Sequence, residues 1–351
     1  MPVPDQQLSG RELRVLEAVI QVYVETAEPA GSQTVARRFG LGISPATIRS
    51  VMADLEAKGY LYHPHTSAGR IPTDWAYRVY VDSLMRLAPP SLHDRRTLQA
   101  EIESTPGPRA ASAIEEVLRR AAQVLGVLTQ ELGVAVKPAL ERVVLERLEL
   151  VQVASDRLLL VFNLRSGVVR TIFVQVPGTV APELVQRVTA ILNERLAGHS
   201  LEEIRASLGE RLRDAHGAPG ERELLNIFIA EGEEIFDLRE DGGAVVLGST
   251  ALLADQPEFA STDRIRGLLE LTDRRDLLRE ALERRRREGL TITIGAENLD
   301  ARLNDFTLVT SSYRIGDLTG VIGVMGPTRM PYDKIIGLVE HTSRLVEGLL
   351  E

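Results

Sequence analysis

GLGISPATIRSVMADLEAKGYL, residues 40–61, reads as a tight turn feeding one capped amphipathic helix that stops at a glycine. Ser44 stands at the N-cap and Pro45 at the first helical position, where its missing N–H costs nothing; Lys58 and Gly59 close the helix. Ile48, Val51, Met52 and Leu55 form one apolar stripe. Ala46, Thr47, Arg49 and Ser50 lie on the polar side of its first turns, the part of a recognition helix that meets base edges in a major groove. With the capping Ser44 they make the candidate base-reading set.

Working outward from that helix, Ser9 and Glu12 form a capping box, and Leu13, Leu16, Ile20, Tyr23 and Val24 carry a first helix to about Thr26. Glu28-Pro29-Ala30-Gly31 breaks it, and Ser32 is expected to cap a short second helix with Val35, Ala36 and Phe39 on its apolar side. Downstream, Tyr60-Leu61-Tyr62 has strand character, and His63 to Pro72 has the composition of a hairpin. Its polar tip offers His65, Thr66, Ser67 and Arg70, with Gly69 for flexibility and the arginine suited to the negative potential of a minor groove. Trp75, Tyr77, Tyr80, Val81 and Leu84 close the unit at about residue 88. Two short helices joined by a tight turn and followed by a hairpin predict a winged helix-turn-helix over residues 1–88, with double-stranded DNA as its partner.

Charge supports a local rather than a general nucleic-acid surface. The whole chain carries a net charge of −9, whereas residues 37–70 hold Arg37, Arg38, Arg49, Lys58 and Arg70 against Asp54 and Glu56. One such unit covers only a half-site, so a homodimer on a two-fold symmetric, inverted-repeat operator is expected. Length, 351 residues, predicts two or three domains, and no apolar run reaches membrane-spanning length. The first residues show no basic region followed by an apolar stretch, so the expectation is a cytoplasmic protein with no membrane partner. Absence of cysteine excludes disulfides, thiolate zinc sites and a cysteine redox sensor. No catalytic motif is present, and neither an enzyme nor a cofactor or metal requirement is expected. His63 and His65 lack companions for a metal site; Arg284 to Arg287, set among Glu280, Glu283 and Glu288, are expected on a solvated helix face.

The remaining chain divides by pattern. Residues 89–110, bounded by proline clusters, read as a linker with a helical piece inside. A long amphipathic helix then runs through Ile114, Leu118, Leu125 and Leu132 to Gly133. Strands follow at about 143–153, 157–163 and 168–176, helices at about 182–197, 200–208 and 221–238, strands again at 291–295, 306–313 and 320–325, and a last helix from Tyr332 to Leu350. Strands on both sides of a helical interlude suggest a multidomain α+β chain in which one sheet domain is interrupted by an insertion: 111–177 its first part, 178–250 the insertion, 251–351 its second part.

Residues 31–34, 40–61, 64–82 (PHTSAGRIPTDWAYRVYVD) and 308–340 (LVTSSYRIGDLTGVIGVMGPTRMPYDKIIGLVE) closely resemble the HrcA family of bacterial heat-inducible transcription repressors. That resemblance implies a GAF-like domain interrupted by an inserted dimerisation domain. It also implies negative control of chaperone operons through an inverted-repeat operator of the CIRCE type, lifted by heat stress. The family's dependence on the GroE chaperonin adds that chaperonin as an expected partner. Two other functions fit the residues alone: a winged-helix repressor switched by a small molecule bound in the GAF-like domain, and a module that docks protein or RNA.

Overall fold

The computed structural model describes residues 8–64, 69–103, 111–138, 143–214, 219–236, 245–286, 289–316 and 318–350. Its N-terminal head comprises α1 (Gly10–Thr26), α2 (Ser32–Arg38), α3 (Pro45–Ala57), the hairpin β1 (Leu61–Tyr62) and β2 (Ile71–Pro72), and α4 (Asp74–Val79), which runs on into a π-helical turn over Tyr80–Leu84. The Ser9–Glu12 capping box forms as expected. Ser32 does not cap α2: it is the buried first residue of the helix, and Gly31 takes the cap position. Val15, Leu16, Val19 and Ile20 of α1 pack with Val35 of α2 and the Ile48, Val51, Met52, Leu55 stripe of α3 in one core.

Glu12 does more than cap. Lys58, just past α3, donates to its carboxylate at 2.6 Å and ties the end of α3 to the start of α1. That bond, with the Ser9 amide, holds the Glu12 carboxyl down to about 2. A depressed carboxyl contributes stability that is present above its ordinary range and lost as pH falls through the folded value. Glu12→Gln is therefore expected to cost the head about 1–2 kcal/mol at neutral pH. Thermal melts of variant and wild type should converge near pH 2; a constant difference across that range would count against the bond.

Within the segment expected as a linker, Leu92–Glu103 forms α5, whose Leu98 and Ile102 are fully buried against α6 (Ala111–Thr129) and α14 (Tyr332–Leu350). Spaced i, i+4, those two residues make a helix face that needs a partner. The long helix α6 stops at Thr129, short of Gly133, because Gln130 turns the chain at φ 62. Leu132 and Gly133 instead open strand β3 (Leu132–Val136). A Cβ on Gly133 would lie 1.8 Å from the Ala122 carbonyl oxygen, so only glycine lets β3 cross α6 that closely.

Strand β3 sits inside a five-stranded antiparallel sheet ordered β7-β3-β10-β9-β8, with β7 (Val245–Leu247), β8 (Thr291–Ile294), β9 (Phe306–Ile315) and β10 (Leu318–Pro327). Both faces are covered. α6 and α14 lie over one face, where Ala135, Ile322 and Val324 are buried. On the other, Leu132, Val134, Val136, Val321 and Met325 pack with Leu268 and Leu271 of α12 (Thr262–Asp273) and Leu277, Leu278 and Leu282 of α13 (Arg275–Glu283).

Residues 111–177, expected as the first part of this sheet domain, divide between two sheets. β4 (Leu145–Ala154), β5 (Arg157–Leu164) and β6 (Val169–Gln175) form a separate meander. Beneath it lie α7 (Pro182–Leu196), α8 (Leu201–Arg213), α9 (Pro219–Ala230) and the short α10 (Gly232–Ile235). Leu148, Leu150, Leu158, Leu160, Phe162 and Val174 point inward, and Phe162 meets Phe236 at 5.3 Å between ring centroids. Asn193 of α7 both donates to and accepts from the Leu148 backbone at 2.8 Å, which satisfies the edge of β4 as another strand would. Outside, the row Val151–Leu159–Phe173 runs across all three strands, with Val151 46 % and Phe173 61 % exposed.

The head meets the sheet domain through the buried rings of Tyr77 and Tyr332, 5.8 Å between centroids, and through polar contacts. Arg78 of α4 pairs with Glu297 and donates to the Ile292 carbonyl at 2.8 Å; Asp74 accepts from the Ala296 amide at 3.0 Å. Arg329, paired with Glu258, donates to the Val24 carbonyl in the last turn of α1 at 2.8 Å. Beside that pair lies Glu131, 2 % exposed and taking a hydrogen bond from Gln256 at 3.0 Å. Burial pushes its carboxyl well above the ordinary 4.5. A raised carboxyl favours folding below its unfolded value, and that contribution is lost as pH rises toward the folded value. Glu131→Gln, which has no proton to lose, should gain stability over wild type as pH rises above the ordinary 4.5, by about 1.4 kcal/mol per pH unit at most. Parallel pH profiles would show that Glu131 ionises freely.

Candidate nucleic-acid interface

The third helix begins where its sequence says it must. The Ser44 hydroxyl accepts the Thr47 amide at 3.1 Å and shares a 2.9 Å hydrogen bond with the Thr47 hydroxyl. Both hydroxyls are thus engaged in starting the helix, and Thr47 is half-buried. Ala46, Arg49 and Ser50 are exposed, and Ala53 extends the same open face at i, i+3, i+4, i+7 spacing. Ala53 was not among the expected residues, although the spacing that selects Ala46, Arg49 and Ser50 also selects it. Buried Ile48, Val51, Met52 and Leu55 fix the rotation of the helix, so this face cannot turn inward without losing the core.

Most of the local positive charge is already paired. Arg38 meets Glu25 at 2.7 Å, Lys58 meets Glu12 at 2.6 Å, and Arg70 meets Glu56 at 2.8 Å. Arg37 at the end of α2 and Arg49 on α3 are exposed and have no ion-pair partner among the described residues. The cationic surface therefore narrows to two arginines on adjacent helices. Arg37 entered the sequence argument only as part of a charge count; the structure places it exposed in the last turn of α2.

In the hairpin, Leu61 pairs with Pro72 and Tyr62 with Ile71. Its returning arm also bridges the α1–α2 loop, with Ala30 and Arg70 exchanging both backbone hydrogen bonds, at 2.8 and 3.0 Å. Gly69 is there for closeness rather than for flexibility: a Cβ would fall 2.4 Å from the Ala30 carbonyl carbon. The expected tip residues His65, Thr66 and Ser67 lie outside the described residues. Arg70 is described, 20 % exposed in its side chain and lying against α3 through Glu56. The pair is half-buried, so a phosphate or groove contact would have to replace Glu56 as the partner of Arg70.

The run Arg284 to Arg286 departs from its expected solvated face. Arg284 pairs with Glu280 outside, but Arg285 is 7 % exposed and donates to Ala281, Thr293 and Asn298, and Arg286 donates to the Lys137 carbonyl at 2.9 Å. Those arginines brace β8 and β3; they offer no phosphate patch. Arg287 lies outside the described residues. No helix among the described residues is long and apolar enough to cross a membrane.

The family model for the HrcA protein C-terminal domain matches residues 115–336. A heat-inducible transcription repressor HrcA of Chlorobium phaeovibrioides is 36 % identical over 346 residues, covering 96 % of this chain and 96 % of that protein. The protein of the same name from Chlorobaculum parvum is 38 % identical over 344 residues, again with 96 % of each covered. A crystal structure of a hypothetical protein at 2.2 Å resolution superposes with a TM-score of 0.62 over 98 % of this chain and 97 % of that one, at 23 % identity. It supports the fold alone.

Proposed function

The chain belongs to the HrcA family of heat-inducible transcription repressors, and from that premise we propose that the head is a winged helix-turn-helix reading an inverted-repeat operator of the CIRCE type upstream of chaperone operons. The observation that carries this reading is the face of α3, where Ala46, Arg49, Ser50 and Ala53 stand open behind a Ser44–Pro45 helix start. Small side chains let the helix sit deep in a major groove while one arginine reaches a base edge. Arg37 serves the flanking phosphates, and the hairpin, with His65, Thr66, Ser67 and Arg70, serves as the wing.

Two copies join through the outer face of the β4–β6 sheet, whose Val151, Leu159 and Phe173 row is an apolar surface on an otherwise acidic chain. The five-stranded sheet with its helices is the GAF-like domain, and residues 143–236, meander and α7–α10 together, are the insertion. The repressor acts in the cytoplasm, where its DNA is. Its active population depends on folding assisted by the GroE chaperonin, so stress that fills the chaperonin with unfolded clients lifts repression.

A gel shift with the purified chain and an inverted-repeat duplex tests the whole. A shift without added metabolite, abolished by scrambling either half-repeat and unaffected by excess unrelated RNA, is the expected result. Dependence on a small molecule would move the assignment to a ligand-switched repressor, and equal competition by RNA to an interaction module.

A further inference from the structure

We propose that Arg78, Arg329 and Gly337 are positioning residues that set the spacing between half-sites which the repressor accepts, although none of them lies on the open face of α3. This rests on the dimeric operator reading above. Between the π turn and α5, residues 85–91 have neither helix nor strand, and this segment is the covalent tie between head and body. Seven residues span up to about 23 Å when extended, whereas adjacent base pairs are about 3.4 Å apart along the axis. On that tether alone each head would reach operators differing by several base pairs.

Besides the Asp74–Ala296 hydrogen bond and the packing of Tyr77 on Tyr332, 5.8 Å between ring centroids, three further contacts restrict this freedom. Arg78, on α4, forks onto Glu297 and also donates to the Ile292 carbonyl at 2.8 Å, so the head is anchored to the edge strand β8. Arg329, oriented by Glu258, holds the Val24 carbonyl at 2.8 Å in the last turn of α1. Its place at a helix C-terminus is favourable for a cation. The tether itself is seated on α14: a Cβ at Gly337 would lie 2.6 Å from the Ala88 carbonyl oxygen and 3.3 Å from Pro90. The head is thus held on α4, on α1 and on the connecting segment, three separate stretches of chain, which together restrain its position and its rotation.

The geometry has a direct consequence in a dimer. When heads are rigidly held, the effective concentration of the second head at the second half-site is high at one separation and small elsewhere. When they swing on a tether, it is lower at the best separation and spread over many. Half-site recognition is unchanged in either case, because the α3 face is untouched.

The experiment measures operator affinity of the full chain for inverted repeats whose spacer is varied one base pair at a time through a full helical turn, and for a single half-site. Wild type is expected to bind one spacing best and neighbouring spacings at least about tenfold less tightly. Arg78→Ala, Arg329→Ala and their combination are expected to flatten the profile to within about threefold, with single half-site affinity within about twofold of wild type. Gly337→Ala gives a second route, since alanine favours the helix itself while its methyl group displaces the tether. A flattened or shifted optimum in that variant, with undiminished thermal stability, supports positioning over general damage. Retention of the wild-type spacing profile by both the double arginine variant and Gly337→Ala overturns the proposal. Should wild type itself bind a single half-site as tightly as any repeat, the dimeric operator reading fails instead, and the two failures are told apart.

Discussion

Leu159→Arg combined with Phe173→Glu is expected to leave a folded monomer that binds the inverted repeat about 10²- to 10⁴-fold more weakly than wild type. Both side chains sit on the outer face of the meander, and Phe173 is 61 % exposed within a single chain. Their inward neighbours Leu158, Leu160 and Val174 make the core with α7–α10, and the substitutions leave those untouched. Fold and melting temperature should therefore survive, while an apolar surface that stabilises association becomes a charged one with no partner across it. Losing the partner removes the second head, and the loss of affinity is that of turning an intramolecular contact into a bimolecular one. Sedimentation fixes the oligomeric state and a gel shift the affinity. A variant that remains dimeric would place the interface elsewhere; a monomer with full affinity would end the two-fold operator reading.

Arg49→Ala should cost about 1–3 kcal/mol of operator binding, roughly 5- to 150-fold, and relax base preference at one position in each half-site. The argument is positional. Arg49 is exposed on the face that Ala46 and Ser50 share, has no ion-pair partner among the described residues, and its removal leaves the buried stripe of α3 intact. Arg70→Ala should behave differently, because Arg70 already pairs with Glu56 and must exchange that partner for DNA. A smaller loss, a shallower salt dependence and a preference change confined to flanking A·T-rich positions are expected if it serves the wing. Titrations at two salt concentrations separate the two arginines. Unchanged affinity and specificity for Arg49→Ala would remove it from the reading set.

The head was legible because its boundaries are written in local chemistry. A capping box at Ser9, a Ser44–Pro45 helix start and a Gly59 stop need no distant partner to act, and the apolar stripes between them have one period. What escaped depended on tertiary contact. Nothing local tells that the strands of 145–175 form a sheet of their own while Leu132–Val136 pairs with strands more than a hundred residues away. Leu132 continues the helical spacing of α6 and becomes strand only because Gln130 turns the chain before it. The arginine run looked solvated because glutamates surround it, yet Arg285 finds acceptors on β8 and the following loop as well as on Ala281 of the preceding helix. On α3, the exposure of Ala46, Arg49 and Ser50 was legible, whereas the half-burial of Thr47 and the exposure of Ala53 were not read. The pairing of Arg38, Lys58 and Arg70, which leaves Arg37 and Arg49 as the unpaired cations there among the described residues, needed coordinates.

Strand β3 has its neighbours at Val245–Leu247 and Val321–Met325, so the interior strand of the sheet is made long before either flank exists. At a translation rate of about 5–20 residues per second, Leu132 leaves the ribosome some ten to forty seconds before its partner Met325 does. Until Val245–Leu247 emerges an all-apolar strand, LGVAV, has no sheet partner, and until Met325 emerges it has only one, while the meander and its helices can already close on themselves. Contacts of such long sequence separation are also slow to form once synthesis ends. The delay belongs to the order of elements along the chain and no point substitution shortens it. Five apolar residues thus stand unshielded by their own sheet while the remainder of it is still unwritten.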